Sequence, residues 1–322
     1  MRLVVQIPAL NEERTIAEVI RGIPGASPGI DETIVVVIDD GSTDRTAELA
    51  QAAGAVVLRH EEPRGVGAAF RTGVEYATRL DADIIATIDA DGQFNPADIP
   101  RLVDPILRDK ADFITASRFV DPSLAPQMPR AKRWGNDFMA RWISRLVGHR
   151  YHDVSCGFRA YSRNAYLRLV LLGDFSYTHE TFLSLAFAQV RIQEIPVIVR
   201  GVRQFGTSRV AGNLFRYGYR TALIILRTHR DYRPLQFFGH IALVLLSVGC
   251  AFLGFLLHVR ITTGMFSPHK WAGFVSAAFA TAALLVYLAG LAADMLERLR
   301  VAQNEILFRV RRLERRERTH KP

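Results

Sequence analysis

Two carboxylates one residue apart, Asp89 and Asp91, close the apolar run DIIATIDAD over residues 83–91. A buried strand that runs straight into acid can aim both side chains at one point where its backbone turns. They can then share a hard cation such as Mg2+ or Mn2+, which takes oxygen ligands and leaves positions open for a diphosphate. A solvated acidic turn is the plain alternative, but it would not need the preceding strand. No GxGxxG follows the first apolar run and no GxxxxGK[ST] occurs anywhere, so neither a dinucleotide-binding turn nor a P-loop is supported. Gly65 and Gly67 are too few to replace either.

The elements that must position this pair alternate short apolar runs with helical patterns over the first 200 residues, the signature of a mostly parallel sheet flanked by helices. Strands are expected at 3–9, 33–40, 55–60, 83–91 and 111–119. Helices are expected at 12–21, after the turn GSTD with Ser42 or Thr43 as cap, at 64–80, and at 95–109 with proline near the start. Ligands of such sheets bind beyond the carboxyl ends of the strands, where Asp39, Asp40, Asp89, Asp91, Ser117 and Arg118 fall.

PALNEE at 8–13, VIDDGSTD at 37–44, DADGQ at 89–93, ASR at 116–118 and DVSCGFRAY at 153–161, in this order, resemble family 2 glycosyltransferases of the GT-A fold. With two apolar segments behind them, the chain is most similar to polyprenyl-phosphate glycosyltransferases such as dolichol-phosphate mannose synthase and its bacterial glucosyl and aminoarabinosyl relatives. The resemblance implies a nucleotide pocket lined by Pro8, Ala9, Asn11 and Glu12, with Asp40 on the base or ribose of a GDP- or UDP-linked sugar. It implies that Asp89, Asp91 and Gln93 hold Mg2+ or Mn2+ on the donor diphosphate, with Asp89 also on the donor side. The implied acceptor is a lipid phosphate, already anionic, so attack needs no strong base and the catalytic burden is electrostatic. Arg118, Arg130, Lys132, Arg133 and Asn136 are the implied acceptor-phosphate residues. VRQFGTSR at 202–209 resembles the family's mobile loop, which would set Arg203, Ser208 and Arg209 over the diphosphate and add Arg203 to the catalytic set. The family commonly has serine or threonine where Cys156 stands, and Cys156 reads as a small packed residue, with no histidine paired to it. Asp153 and Arg159 read as structural or acceptor-side residues. Glu180 falls where the family has an acid or amide facing the sugar, and His179 beside it reads equally as an exposed helix residue.

The formal charge of +9 divides unevenly: residues 1–210 carry 25 Lys+Arg against 26 Asp+Glu, and residues 211–322 carry 16 against 6. Basic character confined to the part with the longest apolar runs points to an anionic lipid face and away from nucleic acid. Residues 236–259 and 271–293 contain no Asp, Glu, Lys or Arg and are long enough to span a hydrocarbon core of about 30 Å. A buried helical hairpin is the alternative, but these runs are apolar on every face. The connector holds only Arg260 and Lys270, so the positive-inside rule sets both termini in the cytoplasm. MRLVVQIPALNEE lacks an apolar region followed by a small-residue cleavage site, so the first domain is expected to stay on that side.

The organisation expected is therefore a GT-A catalytic domain at 1–210, an interfacial amphipathic region at 211–235, spans at 236–259 and 271–293, and a basic cytoplasmic tail helix at 294–322. A solvated linker is the alternative for 211–235. In the tail, Leu299, Ile306 and Leu313 recur at seven-residue spacing near Leu296 and Val310, a stripe that a second copy or the membrane surface must cover. The copy is preferred, hence a homo-oligomer. The function expected is inverting transfer of one sugar from a nucleotide to a polyprenyl or dolichyl phosphate. A membrane-tethered transferase acting on a glycan or lipid-linked oligosaccharide is the alternative, and it would need Asp153 or Glu180 as base. A lipid carrier or flippase subunit is disfavoured by two spans and an intact DADGQ.

Overall fold

The computed structural model describes residues 1–126, 128, 130–169, 177–200, 223, 226–227 and 229–319, apart from the side chains of 131, 132 and 314–319. By internal contact the chain forms two units, Met1–Gly212 with Leu307–Pro322, and Asn213–Ile306.

The first unit is built on a seven-stranded sheet in the order β3-β2-β1-β4-β6-β5-β7. Its strands are β1 (Arg2–Ala9), β2 (Glu32–Asp39), β3 (Val56–Arg59), β4 (Ile84–Thr87), β5 (Phe113–Ser117), β6 (Arg159–Ser162) and β7 (Ile192–Pro196). Only β6 runs against its neighbours, antiparallel to both β4 and β5. Every other pairing is parallel, so the strands β3, β2, β1, β4, β5 and β7 all end on one edge. The central strands read as near-continuous apolar runs because both faces are covered: Val4, Val5, Ile7, Val36 to Ile38, Ile84 and Ile85 are all buried.

Helices α1 (Ile16–Arg21), α2 (Thr46–Ala52), α3 (Val66–Arg79), α4 (Ile99–Leu107), α5 (Arg130–Val147), α6 (Arg163–Leu167) and α7 (Tyr177–Phe187) complete this unit. The expected cap at Ser42 or Thr43 is corrected: α2 starts at Thr46, whose N–H donates to Asp44 Oδ1 at 3.0 Å. Ser42 and Thr43 are committed elsewhere. Ser42 Oγ accepts from Asn11 N at 2.9 Å, and Thr43 N donates to Asn11 Oδ1 at 2.8 Å, lacing the loop after β2 to the loop after β1. The strand expected at 83–91 is shorter, ending at Thr87, which leaves the acids on a turn.

Helices α8 (Pro234–Thr263) and α9 (Trp271–Thr319) are each long and apolar enough to cross a membrane. The 30 residues of α8 rise about 45 Å, more than the roughly 30 Å of a hydrocarbon core. Their outward faces are uncovered, with Leu243, Val244, Phe274 and Leu285 all exposed, which a core helix of a water-soluble domain would not show. Glycine brings the two together: a Cβ on Gly249 would lie 3.2 Å from the Ser276 carbonyl oxygen, and one on Gly290 would lie 2.8 Å from Phe238 Cβ. The expected second span and tail are one continuous helix. Most of the region 211–235 lies outside the described residues, as does the end of the tail.

Candidate functional site

The site lies on the edge where the parallel strands end. Ala9 and Asp39 are register partners at the ends of β1 and β2, and Ala9 O accepts from Asp40 N at 2.9 Å. Asn11 takes a left-handed backbone conformation, φ 52°, that turns its side chain into the loop after β2. Glu12 N donates to Thr46 Oγ1 at 2.8 Å, a second tie between these two loops. Pro8, Ala9, Asn11 and Glu12 are thus brought together with the GSTD turn.

Asp40 is buried and its carboxylate is spent on the loop before α3. Its Oδ1 accepts from Arg64 N at 2.9 Å and lies 2.7 Å from His60 Nδ1, and its Oδ2 accepts from Gly65 N at 2.8 Å. Asp40 therefore anchors that loop beside the loops after β1 and β2. Asp39 beside it is also buried, accepting from Ser42 N at 3.0 Å with Arg59 Nε 3.3 Å from its other oxygen.

Asp89 and Asp91 leave β4 next door. β4 and β6 pair with Thr87 opposite Arg159, so two residues further along the same register Asp89 stands opposite Gly157. A Cβ at Gly157 would lie 2.8 and 2.9 Å from the two oxygens of Asp89. Glycine is required there for the carboxylate to lie against the backbone. Behind it, Tyr177 Oη donates to Gly157 O at 3.2 Å. Burial, and then the Asp89 charge, raise the Tyr177 phenol well above its ordinary pKa, so it stays protonated and donating. Asp91 is buried and accepts from Gln93 N at 3.1 Å, while Thr15 Oγ1 donates to Ala90 O at 2.7 Å. Gln93 is tethered by its own amide, Nε2 to Arg200 O at 3.0 Å, so it braces the turn against the segment at Arg200.

Two oxygen-only side chains on one turn fit Mg2+ or Mn2+, which need one or two carboxylates when substrate phosphates and water complete the shell. Among the described residues no third Asp, Glu, His or Cys joins them in a metal-sized cluster.

On the other side of β6, Arg118 is held in a fork by buried Asp153, Nε to Oδ2 at 2.6 Å and Nη2 to Oδ1 at 2.8 Å. Its Nη2 also reaches Ser155 Oγ at 2.6 Å, and Ser155 Oγ contacts Asn136 Oδ1 at 3.5 Å. Burial pushes the Asp153 carboxyl up, but the Arg118 charge and the hydrogen bonds from Arg118 and Ser155 outweigh it and hold the carboxyl below its usual range. Glu194 on β7 fixes this loop from beneath, accepting from His152 N at 2.9 Å and Asp153 N at 2.8 Å. Arg133 stacks over Phe119 at 4.8 Å with Arg118 5.2 Å from the same ring, whereas Arg130 is exposed on the first turn of α5. The Lys132 side chain, Arg203, Ser208 and Arg209 lie outside the described residues.

Arg159 is wholly buried and structural, donating to Thr178 O at 2.7 Å, Thr181 Oγ1 at 2.6 Å and Val154 O at 3.0 Å. Cys156 is packed as expected, its thiol pushed up to about 12 by burial and the nearby Asp153 charge. His179 is buried, not exposed: burial and the Arg159 charge push its pKa down to about 4. Glu180 lies half-buried in the first turn of α7. Gly157, Tyr177, Ser155 and Glu194 carry contacts that reading the motifs alone did not assign.

A mostly parallel sheet with an acidic turn on its open edge is the GT-A architecture. Glucosyl-3-phosphoglycerate synthase from Mycobacterium tuberculosis, solved with Mn2+ and UDP-glucose, is similar with a TM-score of 0.55 and 25% identity over 70% of this chain and 78% of that one. Residues 4–169 match the glycosyl transferase family 2 model, and the chain belongs to that family. It is 32% identical to the UDP-N-acetylglucosamine–dolichyl-phosphate N-acetylglucosaminyltransferase of Methanococcus voltae, covering 49% of this chain and 68% of the relative. It is 33% identical to the dolichyl-phosphate hexose transferase of Haloferax volcanii, covering 62% and 82%.

Arg118→Ala should lower stability by about 3–5 kcal/mol, because it strands the Asp153 charge in the interior. In thermal unfolding in detergent, the double variant with Asp153→Ala should recover part of that loss; strictly additive losses would refute the coupling. His179 gives a pH signature. Its folded pKa of about 4 lies below the unfolded value near 6.5, so its stability is full above pH 6.5 and is lost as pH falls toward 4. From pH 7 to pH 5 it should remove about 2 kcal/mol, and His179→Gln should flatten that part of the melting profile. An equally steep profile in the variant would refute the assignment.

Proposed function

We propose that this enzyme transfers one sugar, with inversion, from a GDP- or UDP-linked donor to a polyprenyl or dolichyl phosphate at the cytoplasmic membrane face. The observation that carries this reading is the acidic turn at Asp89 and Asp91, laid against Gly157 beside two laced strand-end loops, in a family 2 chain with two bilayer-length helices.

Asn11, Glu12 and the GSTD turn would wall the nucleotide, with Asp40 fixing the loop at their side. Asp89 and Asp91 would hold Mg2+ or Mn2+, which when bound neutralises charge on the departing diphosphate. A phosphate oxygen of the acceptor forms the new bond to the anomeric carbon as the bond from that carbon to the diphosphate oxygen breaks. No proton leaves the nucleophile, so the protein need only orient it. The Arg118, Ser155 and Asn136 cluster, with Arg133 nearby, would supply N–H donors suited to a phosphate. Arg203, Ser208 and Arg209 remain proposed for the diphosphate on motif alone.

The glycan-acceptor reading loses support from one observation. Asp153, one of the two carboxylates that could serve as its base, is buried in a bidentate ion pair and held ionised below the ordinary carboxylate range, so it is a poor proton acceptor and Glu180 alone is left for that role.

Purified full-length protein in nanodiscs should convert one of a panel of nucleotide sugars and a short polyprenyl phosphate to a lipid product seen by mass. EDTA should abolish turnover, and Asp89→Ala should cost on the order of 10² in rate. Gly157→Ala should weaken apparent Mn2+ affinity about 10- to 100-fold by displacing the Asp89 carboxylate. Turnover undiminished in EDTA would refute the metal reading, and product only from glycan acceptors the lipid one.

We further propose that two copies associate through the exposed stripe of Leu299, Ile306 and Leu313 on α9. Phe308 is not part of it: it is buried in the first unit under the Arg168 guanidinium at 4.0 Å, and Arg311 Nη1 donates to Leu167 O at 2.9 Å and Leu169 O at 3.0 Å. Deleting the tail would disturb that packing, so point changes are the cleaner probe. Leu299→Glu with Ile306→Glu should lower the mass seen by light scattering in detergent; an unchanged mass would refute the association.

A further inference from the structure

Helix α5 is amphipathic in an unusual sense. Its inner face carries Met139, Ala140, Ile143 and Leu146, all buried. On the outer face Trp134, Phe138 and Trp142 follow at four-residue spacing and form a continuous aromatic stripe. Trp134 stacks on Phe138 at 5.6 Å and Phe138 meets Trp142 edge-on at 5.6 Å. This stripe faces outward: Trp134 is 66% exposed and Phe138 is 42% exposed. Among the described residues 1–200, the exposed large aromatics are these two, and both are on α5. Exposed Arg141 and Arg145, seven and eleven residues after Trp134, share the aromatic face, as does exposed Arg130 four residues before it. Over the 18 residues of α5 the sequence holds five Lys and Arg against the single acid Asp137.

We propose that this outer face of α5 seats the catalytic unit on the surface of an anionic bilayer. The chemistry of the face selects that occupant. Indole rings with one apolar and one polar end favour the headgroup level, and flanking guanidinium groups pair with lipid phosphates while their stems cover hydrocarbon. The same chain carries two bilayer-length helices, so such a surface is within its tethered reach. The inner side of α5 supplies a reason for the seat. Asn136 points the other way, toward Ser155 and Arg118, so one rigid helix would hold the proposed phosphate-binding cluster at headgroup height. This inference rests on the proposed bilayer insertion of α8 and α9 but on no particular sugar or acceptor.

The chain has three tryptophans, Trp134, Trp142 and Trp271, so Trp271→Phe leaves only the two on α5. The full-length variant would be reconstituted in phosphatidylglycerol nanodiscs, with and without lipids brominated near the headgroup. Bromolipid should reduce the tryptophan emission, and the discs should shield it from aqueous acrylamide. Adding Arg141→Glu and Arg145→Glu, both at exposed positions, should weaken both effects, and the melting temperature would check that this variant folds. If it does not fold, the bromolipid comparison on Trp271→Phe alone decides. Incorporation into discs without bromolipid quenching would overturn the seat. So would shielding from both quenchers, the mark of a second copy covering the stripe. Failure to incorporate at all would overturn the spanning reading on which the seat depends. Since sugar transfer is not read, a failed acceptor panel leaves this result standing.

Discussion

The reversed strand β6 is the constraint on which the site depends. Without an antiparallel partner, the end of β4 would face the end of another parallel strand, and the turn after it would have to find its support in a loop. With β6 between β4 and β5, the chain arrives at the site edge just before Arg159, and register sets Gly157 against Asp89. A carboxylate in contact with backbone has little freedom, and that contact is possible only where no Cβ stands. The same arriving segment supplies Asp153 and Ser155 to Arg118 at the end of β5. One strand reversal therefore organises the acidic half of the site and the cationic half together.

Parts of this arrangement are written locally and parts are not. The strands β1, β2, β4 and β5 are apolar runs that any reading of period and length finds, and the acids at the end of β4 stand out because they interrupt one. β6 is four residues, RAYS, opening with an arginine that belongs in the interior only because carbonyls and Thr181 wait for it. β7 places Glu194 in its middle, a residue depleted in strands, because its carboxylate is needed by the backbone of His152 and Asp153. The partner of Arg118 lies 35 residues away in sequence, and a motif shows both residues without showing that they bind each other. Gly157 looks like turn punctuation until the register explains it. Local pattern carries the frame, and tertiary pairing carries the roles of polar residues inside it.

The cationic half also shows why an arginine in the proposed phosphate-binding cluster need not be an open charge. Arg118 is nearly covered and matched by Asp153, so it offers direction more than net attraction. Planar fork geometry fixes the guanidinium in one orientation, and Ser155 and Asn136 extend the hydrogen-bonded chain from that fixed point. Such preorganisation costs no rearrangement when an anion arrives, which is where electrostatic stabilisation is most effective.

Arg159 works by the opposite logic. The oxygens it reaches among the described residues belong to Thr178, Thr181 and Val154, all neutral, so there its charge is solvated by dipoles and not cancelled by a carboxylate in direct contact. A full positive charge in a low-dielectric interior acts at range. Its reach is visible in His179, which burial and Arg159 together keep neutral, and in Tyr177, whose ring lies 6.0 Å from the guanidinium and whose hydroxyl touches Gly157.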